Sequence, residues 1–191
     1  MNLSRPTSGK LSDRGVVALE TALWGAGLLL LFILTVDVIT FMRVKLRLDQ
    51  VSGAVANNVT QYDKLYRDDF PTLFETAQQT AGAIKVTGEG GATIITGITN
   101  VNGTPTIAWR QNSPGNVTFT SSFGAVGAAP SNLPDQYALP KGASVIAIEV
   151  FGVVTLNSTL LVTGPQTMRS AALFPPRAAT LPQLVLAENR P

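Results

Sequence analysis

The sequence predicts an α+β protein, in which a long N-terminal transmembrane helix precedes an antiparallel sheet with one packed helix. Residues 21–36 are 16 consecutive uncharged residues within a mostly apolar stretch over 16–42. Residues 69–84 place apolar side chains at the spacing of an amphipathic helix. From residue 92 onward, short runs rich in β-branched residues alternate with Gly, Pro and Asn, which is typical of strands and turns.

The apolar stretch is long enough to cross a bilayer. An α-helix rises about 1.5 Å per residue, so about 20 residues cross roughly 30 Å of hydrocarbon. With Leu29 at the centre, Glu20 and Asp37 fall about 12–14 Å away, near the headgroups, where a carboxylate costs less than at the midplane. A buried helix of a soluble core is the alternative. The run 28–34, apolar on every face, disfavours it.

The helix is expected to continue beyond the span, over 16–58. Its extension is amphipathic, with apolar residues at intervals of three and four: Val44, Leu48, Val51, Val55 and Val59. A leader over 1–15 precedes this helix, an α+β domain over 59–177 follows it, and 178–191 form a loose tail. We expect residues 59–191 to fold on their own.

Within the domain, a helix over 69–84 is expected, with Asp68 or Asp69 as its N-cap. Five of its residues share one apolar face: Leu73, Phe74, Ala77, Ala81 and Ile84. The predicted strands cover 93–101, 104–110, 116–123, 144–156 and 168–174. The first two flank Asn102-Gly103, which predicts a two-residue hairpin turn with positive φ at both positions.

Residues 144–156 are the strongest strand candidate. Alternation places Ile146, Ile148, Val150 and Val154 on the core face, and it places Glu149 on the opposite face, which is expected to be wet. A loop rich in Gly, Pro, Ser and Ala covers 112–142. Its few charges suggest that it either covers the sheet or contacts a partner.

Composition excludes several kinds of chemistry. The 191 residues include no cysteine and no histidine. Disulfides, thiolate nucleophiles, Ser-His-Asp triads and the HExxH zinc pattern are therefore absent. Carboxylate chemistry would need two acidic side chains in one cleft, and the sequence offers no recognisable pair. We therefore expect no enzyme activity, no catalytic residue, no cofactor and no metal site, with an anchored carboxylate-dependent hydrolase as the alternative.

The basic charge is confined to the start of the chain. Residues 1–15 carry three basic side chains and one acidic, whereas the other 176 residues carry 11 of each. Nucleic-acid binding needs a concentrated basic surface, so no nucleic-acid partner is expected. The cluster over 43–47 lies beside the span, where the lipid bilayer explains it more simply. Three basic residues flank each side of the span, so charge alone does not orient it.

A processing signal lies at the start of the apolar stretch. Gly15 is followed by Val16, and Glu20 stands five residues after the glycine, behind a short basic leader. This arrangement looks like a prepilin processing site; an ordinary signal anchor with an accidental Glu20 is the alternative. Small residues at a spacing of four then allow another helix to approach closely: Ala18, Ala22 and Ala26, and Thr21 with Gly25.

The first part of the chain resembles the TadE-like family of Tad (Flp) pilus assembly proteins over roughly 45 residues. The matching residues are Arg14, Gly15, Ala18, Glu20, Ala22, Asp37, Phe41, Arg43, Leu48, Ala54 and Ala56. Two positions depart from the family pattern. Thr40 stands where an arginine commonly follows the aspartate, and Thr21 stands where true Flp pilins carry an aromatic residue.

The resemblance implies a pilin-like pseudopilin, or minor pilin, that acts in pilus biogenesis. A prepilin peptidase would cleave after Gly15, and the helix would cross the bacterial inner membrane with its N-terminus cytoplasmic and its α+β domain periplasmic. Partners would be other pseudopilins or pilins and the Tad inner-membrane machinery, with the pilus as a further location. An uncleaved single-pass anchored binding or scaffold protein is the alternative.

Overall fold

The computed structural model of the protein describes residues 9–115, 118–133, 138–156, 164–177 and 183–185. Its helices are α1 (Gly9–Val59) and α2 (Asp69–Ala81), with a 3-10 turn at Gly88–Gly90. Its strands are β1 (Lys64–Tyr66), β2 (Gly91–Thr99), β3 (Thr106–Asn112), β4 (Ser144–Thr155), β5 (Pro165–Phe174) and β6 (Gln183–Val185). The predicted α+β class, with a long apolar N-terminal helix, is confirmed.

The chain divides into two compact units. One contains Met1–Thr40 and Leu156–Gly164, and the other contains Phe41–Thr155 and Pro165–Pro191. Within the described residues, α1 is the one helix long and apolar enough to cross a membrane, over Gly15–Val59.

The second unit is built on a four-stranded antiparallel sheet in the order β3-β2-β4-β5. The central pair is the longest ladder, and it aligns Gly91 with Gly152 and Thr99 with Ser144. β2 and β3 form a hairpin as predicted, but the predicted two-residue turn is wrong. Their connection runs from residue 100 to 105, and only Gly103 has the positive φ (94°) that was expected of Asn102 as well.

Helices cover one face of this sheet. The C-terminal part of α1 contributes five fully buried residues: Leu48, Val51, Val55, Ala56 and Val59. They share a core with the predicted apolar face of α2 and with alternate residues of β4, among them Ile146, Ile148 and Val150. The predicted amphipathic extension of α1 is confirmed. The predicted boundary between the helix and the domain, at residue 58, falls inside the core that this extension helps to form.

The opposite face of the sheet is also buried, and it is covered by the segment between β3 and β4. Phe123 and Leu139 of this segment pack on Ile98, Ile107 and Val145. The edge of β3 is bound as well, since Ile107 N donates to Ala128 O (3.0 Å) and Gly127 N donates to Ile107 O (2.8 Å). Of the two roles expected for this loop, the described part covers the sheet.

α2 ends three residues earlier than predicted, for a local reason. Gly82 has a φ of 66°, and its N–H caps the helix at Gln78 O and Gln79 O. The Gln78 side chain then binds the departing chain: its Nε2 donates to Ile84 O (3.0 Å) and its Oε1 accepts from Val86 N (3.1 Å). Asp68 occupies the N-cap position without a capping side-chain hydrogen bond, so the predicted capping contact is absent there.

The short strands were not predicted. β1 and β6 pair in parallel, with Lys64 opposite Gln183 and Tyr66 opposite Val185. Three residues of the tail expected to be loose therefore form a strand. The strand predicted over 116–123 is not formed in its described part, 118–123, and residues 116 and 117 lie outside the described residues.

Candidate functional site

The predicted processing residues lie on an exposed part of α1. Gly15, Val16 and Glu20 are all exposed, and a Cβ added at Gly15 would meet no atom within 4 Å. Glu20 makes no hydrogen bond or ion pair with any described residue. The helix passes through Gly15 without a break, because it already begins at Gly9.

The predicted packing residues share this exposure. Ala18, Ala22, Gly25 and Ala26 are exposed, and nothing lies within 4 Å of a Cβ built at Gly25. The large apolar side chains around them are equally open; Leu19, for example, is 70% exposed and Trp24 73%. No described residue of the protein buries this face.

Asp37 departs from that pattern. It is only 1% exposed, although Val38 beside it is 46% exposed. The sequence predicts that this carboxylate lies near the lipid headgroups, and in the structure its side chain is buried.

A second buried charged group lies on the sheet, and its burial was not predicted. Glu149 of β4 is fully buried, so the expectation that it faces water is wrong. The reason is the loop segment that covers its face of the sheet. A buried carboxylate is costly unless hydrogen bonds and an opposite charge compensate it, and both are present.

The carboxylate of Glu149 is fully engaged. Its Oε1 accepts from Arg169 Nη2 (2.8 Å) and Nε (2.9 Å) and from Ser122 N (3.1 Å) and Oγ (2.9 Å). Its Oε2 accepts a short hydrogen bond from Ser121 Oγ. The guanidinium of Arg169 also lies 5.5 Å from the ring centre of Phe123. We call Glu149, Arg169, Ser121 and Ser122 the Glu149 network.

Arg110 adds a second cation near this network. Its Nε donates to Thr96 Oγ1 (3.1 Å) and its Nη1 to Gly124 O (2.6 Å), whereas its buried Nη2 has no hydrogen-bond partner among the described residues. Burial lowers the pKa of Arg110 from its ordinary value, and the negative charge of Glu149 opposes that shift. Arg110 therefore holds the covering loop at the carbonyl of Gly124. Arg169 holds it at the ring of Phe123 and, indirectly, through the carboxylate of Glu149.

These contacts leave the Glu149 network little capacity for catalysis. Both carboxylate oxygens are occupied, and no second carboxylate from the described residues joins them. Within the described part of the chain, no group of three or more His, Cys, Asp or Glu could hold a metal ion. The hydrogen bonds from Ser121 and Ser122 to Glu149 fix the loop to the sheet, and we call this contact a latch.

Another polar contact joins α1 to β5. Asp49 accepts from Lys45 Nζ (2.8 Å) and from Ser170 Oγ, and Ser52 Oγ lies 3.2 Å from Ser170 Oγ. The hydrogen bond from Lys45 and then that from Ser170 lower the pKa of Asp49 from its ordinary value. Lys45 Nζ also donates to Arg169 O (3.2 Å), so this contact helps to fix the helix on the sheet.

The surface carries open grooves that do not include the Glu149 network. One of about 660 Å³ lies between the start of α2 and the end of β3, and its lining includes Arg67, Phe70, Phe74 and Gln111. Another, of about 340 Å³, lies on α1 and is lined by Arg43, Leu46, Arg47 and Gln50. Neither contains a convergent set of acid, base and nucleophile.

Fold and surface together define an α+β protein with an exposed apolar N-terminal helix and an internally latched loop layer. Comparison with protein-family models, with curated proteins and with solved structures gave no match.

Proposed function

We propose that this protein is a TadE-like pseudopilin, a non-enzymatic minor pilin of a Tad pilus assembly system. The leader over 1–15 is removed after Gly15, and the chain is anchored in the bacterial inner membrane by α1. The N-terminus then faces the cytoplasm and the sheet-containing unit faces the periplasm.

The observation that carries the proposal is the exposed first part of α1. Its apolar residues over 16–32 are all exposed, and side chains such as Trp24 and Leu23 are about three-quarters exposed (73% and 75%). An apolar helix with all faces exposed is not stable in water. Lipid or helices of neighbouring subunits would cover it, and a pilus subunit uses both in turn.

Glu20 fits the same proposal because it is exposed and lacks a partner within the described chain. After cleavage, its carboxylate would stand at the fifth mature position and pair with the free N-terminal amine of a neighbouring subunit. Such a pair in apolar surroundings is strongly preferred to either charge alone, so it fixes register more than it adds stability. Other pseudopilins or pilins and the Tad inner-membrane machinery are the proposed partners, and a prepilin peptidase is the processing enzyme.

One observation favours an uncleaved membrane-anchored binding or scaffold protein. The Gly15–Val16 bond lies inside α1, whereas proteolysis prefers exposed, irregular segments. Cleavage would require this first part of the helix to unwind, and Gly15 itself makes helix less favourable by about 1 kcal/mol relative to Ala.

N-terminal sequencing of the protein from cells with a prepilin peptidase distinguishes the two. The pseudopilin proposal expects Val16 as the first residue, and it expects Gly15→Leu to block processing while the control Gly9→Leu does not. A wild-type chain that retains Met1 or Asn2 would favour the uncleaved anchor.

A further inference from the structure

The groove on α1 lies just after the apolar stretch. Arg43, Leu46, Arg47 and Gln50 line it and are all exposed, and their spacing of three and four residues places them on one side of the helix. The side chain of Leu46 is 62% exposed between the two arginines. The neighbouring positions Leu48 and Val51 face the core of the second unit, so the groove points away from that core.

The two arginines of this groove carry charge that no described residue neutralises through an ion pair. Lys45, which lies between them in sequence, is engaged by Asp49 and by the carbonyl of Arg169. Arg43 and Arg47, in contrast, form no ion pair with the described residues. Arg47 Nη1 donates to Gln50 Oε1 (3.3 Å) on the same side of the helix.

We propose that this groove binds the phosphate of an anionic phospholipid headgroup. The inference rests on the proposed membrane anchoring and adds a defined lipid site to it. Guanidinium groups bind phosphate through paired N–H donors, and Gln50 offers a further amide donor for the headgroup.

Along α1, Arg43 lies at the outer edge of the headgroup region and the backbone of Arg47 lies just outside it. With Leu29 at the bilayer centre, Arg43 stands about 21 Å from it and Arg47 about 27 Å, at roughly 1.5 Å per residue. The headgroup region ends about 20–22 Å from the centre of a typical bilayer. Since helical side chains tilt toward the N-terminus, the long Arg47 side chain reaches back toward the phosphates, beside Arg43.

The local charge favours a lipid over a soluble polyanion. Two unpaired arginines suffice for one or two phosphates, whereas nucleic acids require an extended basic surface. Outside residues 1–15 the chain has equal numbers of acidic and basic residues, so its overall charge does not favour a polyanion.

The test uses the full chain in nanodiscs with equal amounts of phosphatidylglycerol and phosphatidylcholine. The protein is extracted in mild detergent, and the lipids that remain bound are quantified by mass spectrometry. The wild type should retain phosphatidylglycerol preferentially. Each arginine is expected to contribute about fivefold to the affinity for phosphatidylglycerol. The double variant Arg43→Gln with Arg47→Gln should therefore lower that affinity about 25-fold. Lys64→Gln with Arg67→Gln removes the same charge elsewhere on the unit and should leave the preference intact.

The outcomes separate the lipid site from the anchoring on which it rests. A chain that enters the mixed nanodiscs but shows no lipid preference, or loses that preference equally in both double variants, overturns the lipid site alone. A chain that does not enter nanodiscs overturns the anchoring. If inorganic phosphate at millimolar concentration binds the lipid-free protein in detergent and displaces phosphatidylglycerol, the groove is a soluble-anion site and the lipid assignment is wrong.

Discussion

Arg169 Nη2 lies 2.8 Å from Glu149 Oε1 on the adjacent strand, two residues away in register, because Arg169 is directly opposite Phe151. The acid is fully buried, whereas the arginine side chain keeps 36% of its surface exposed. The arginine thus brings a partly hydrated charge to a carboxylate that has no access to water.

Glu149→Gln should therefore lower the stability of the fold. The change keeps the shape of the side chain but removes the charge that receives five hydrogen bonds, and the expected loss is about 2–3 kcal/mol. Chemical denaturation of the full chain in detergent measures it. Glu75→Gln, at an exposed position of α2, is the control and should change stability by less than about 0.5 kcal/mol. Equal stability of the two variants would contradict a latching role for Glu149.

The boundary of the folding unit can be tested with two fragments. Residues 41–191 contain the α1 residues that fill the helix-side core, and we expect them to unfold cooperatively. The sequence alone predicts that residues 59–191 fold on their own, but this fragment lacks four of the five fully buried side chains that α1 contributes, including Leu48 and Val51. We therefore expect it not to unfold cooperatively. Thermal unfolding followed by circular dichroism compares them. A cooperative transition of the shorter fragment with the same midpoint would mean that α1 is dispensable for the core.

The contact of Asp49 predicts a loss of stability in acid. Because the folded-state pKa of Asp49 is lowered, its contribution is present above the ordinary value near 4 and disappears as the pH falls through the lowered value. Asp49→Asn and Lys45→Gln should each flatten the fall in denaturation midpoint between pH 5 and pH 2. Arg47→Gln removes a nearby cation outside this contact and should retain the fall. An unchanged pH dependence in Asp49→Asn would exclude this carboxylate as a cause.

Two glycines should respond oppositely to alanine. A Cβ at Gly91 would lie 2.1 Å from Lys85 O and 2.6 Å from Phe151 O, whereas a Cβ at Gly53 would meet nothing within 4 Å. Gly91→Ala should destabilise the protein by about 1–3 kcal/mol, since the backbone around it must move. Gly53→Ala, inside α1, should stabilise it by about 0.5–1 kcal/mol. Denaturation midpoints of both variants at neutral pH are compared, and a Gly91→Ala variant at least as stable as the wild type would contradict the packing at Gly91.

Glu20→Ala should spare processing and insertion but impair pilus assembly. Removing a charge at the edge of the span eases insertion, if it changes it at all. Cleavage depends on the glycine, which lies five positions upstream. Immunoblots report maturation, and electron microscopy of cells reports pili. Normal pili from mature Glu20→Ala protein would contradict the proposed pairing with a neighbouring amine, and Glu89→Ala serves as a control for loss of an exposed glutamate.

Periodicity in the sequence predicted what depends on local spacing. The amphipathic residues of α1 and α2 are buried as expected, and β2 to β5 lie within a few residues of their predicted positions. β1 and β6 escaped prediction because three residues give no period, and their pairing depends on contacts remote in sequence.

The burial of Glu149 could have been suspected from its neighbours. Val145, Ala147 and Phe151 share its face of β4 and are apolar, and a strand apolar on both faces indicates burial on both. What the sequence could not supply is the covering segment, which combines distant residues such as Ser121 and Phe123. The processing and packing residues predicted on α1 are exposed in the structure, and their roles stay predictions.

The pairing of β1 with β6 also has a consequence for synthesis. Lys64 leaves the ribosome 119 positions before Gln183, its partner. At about 5–20 residues per second, this interval lasts roughly 6–24 s. The apolar face of α1 at Leu48 and Val51 waits almost as long for β4 and β5. During those seconds the apolar face of this helix is not yet covered by the sheet. Early membrane insertion of the preceding segment would keep the uncovered helix from aggregating.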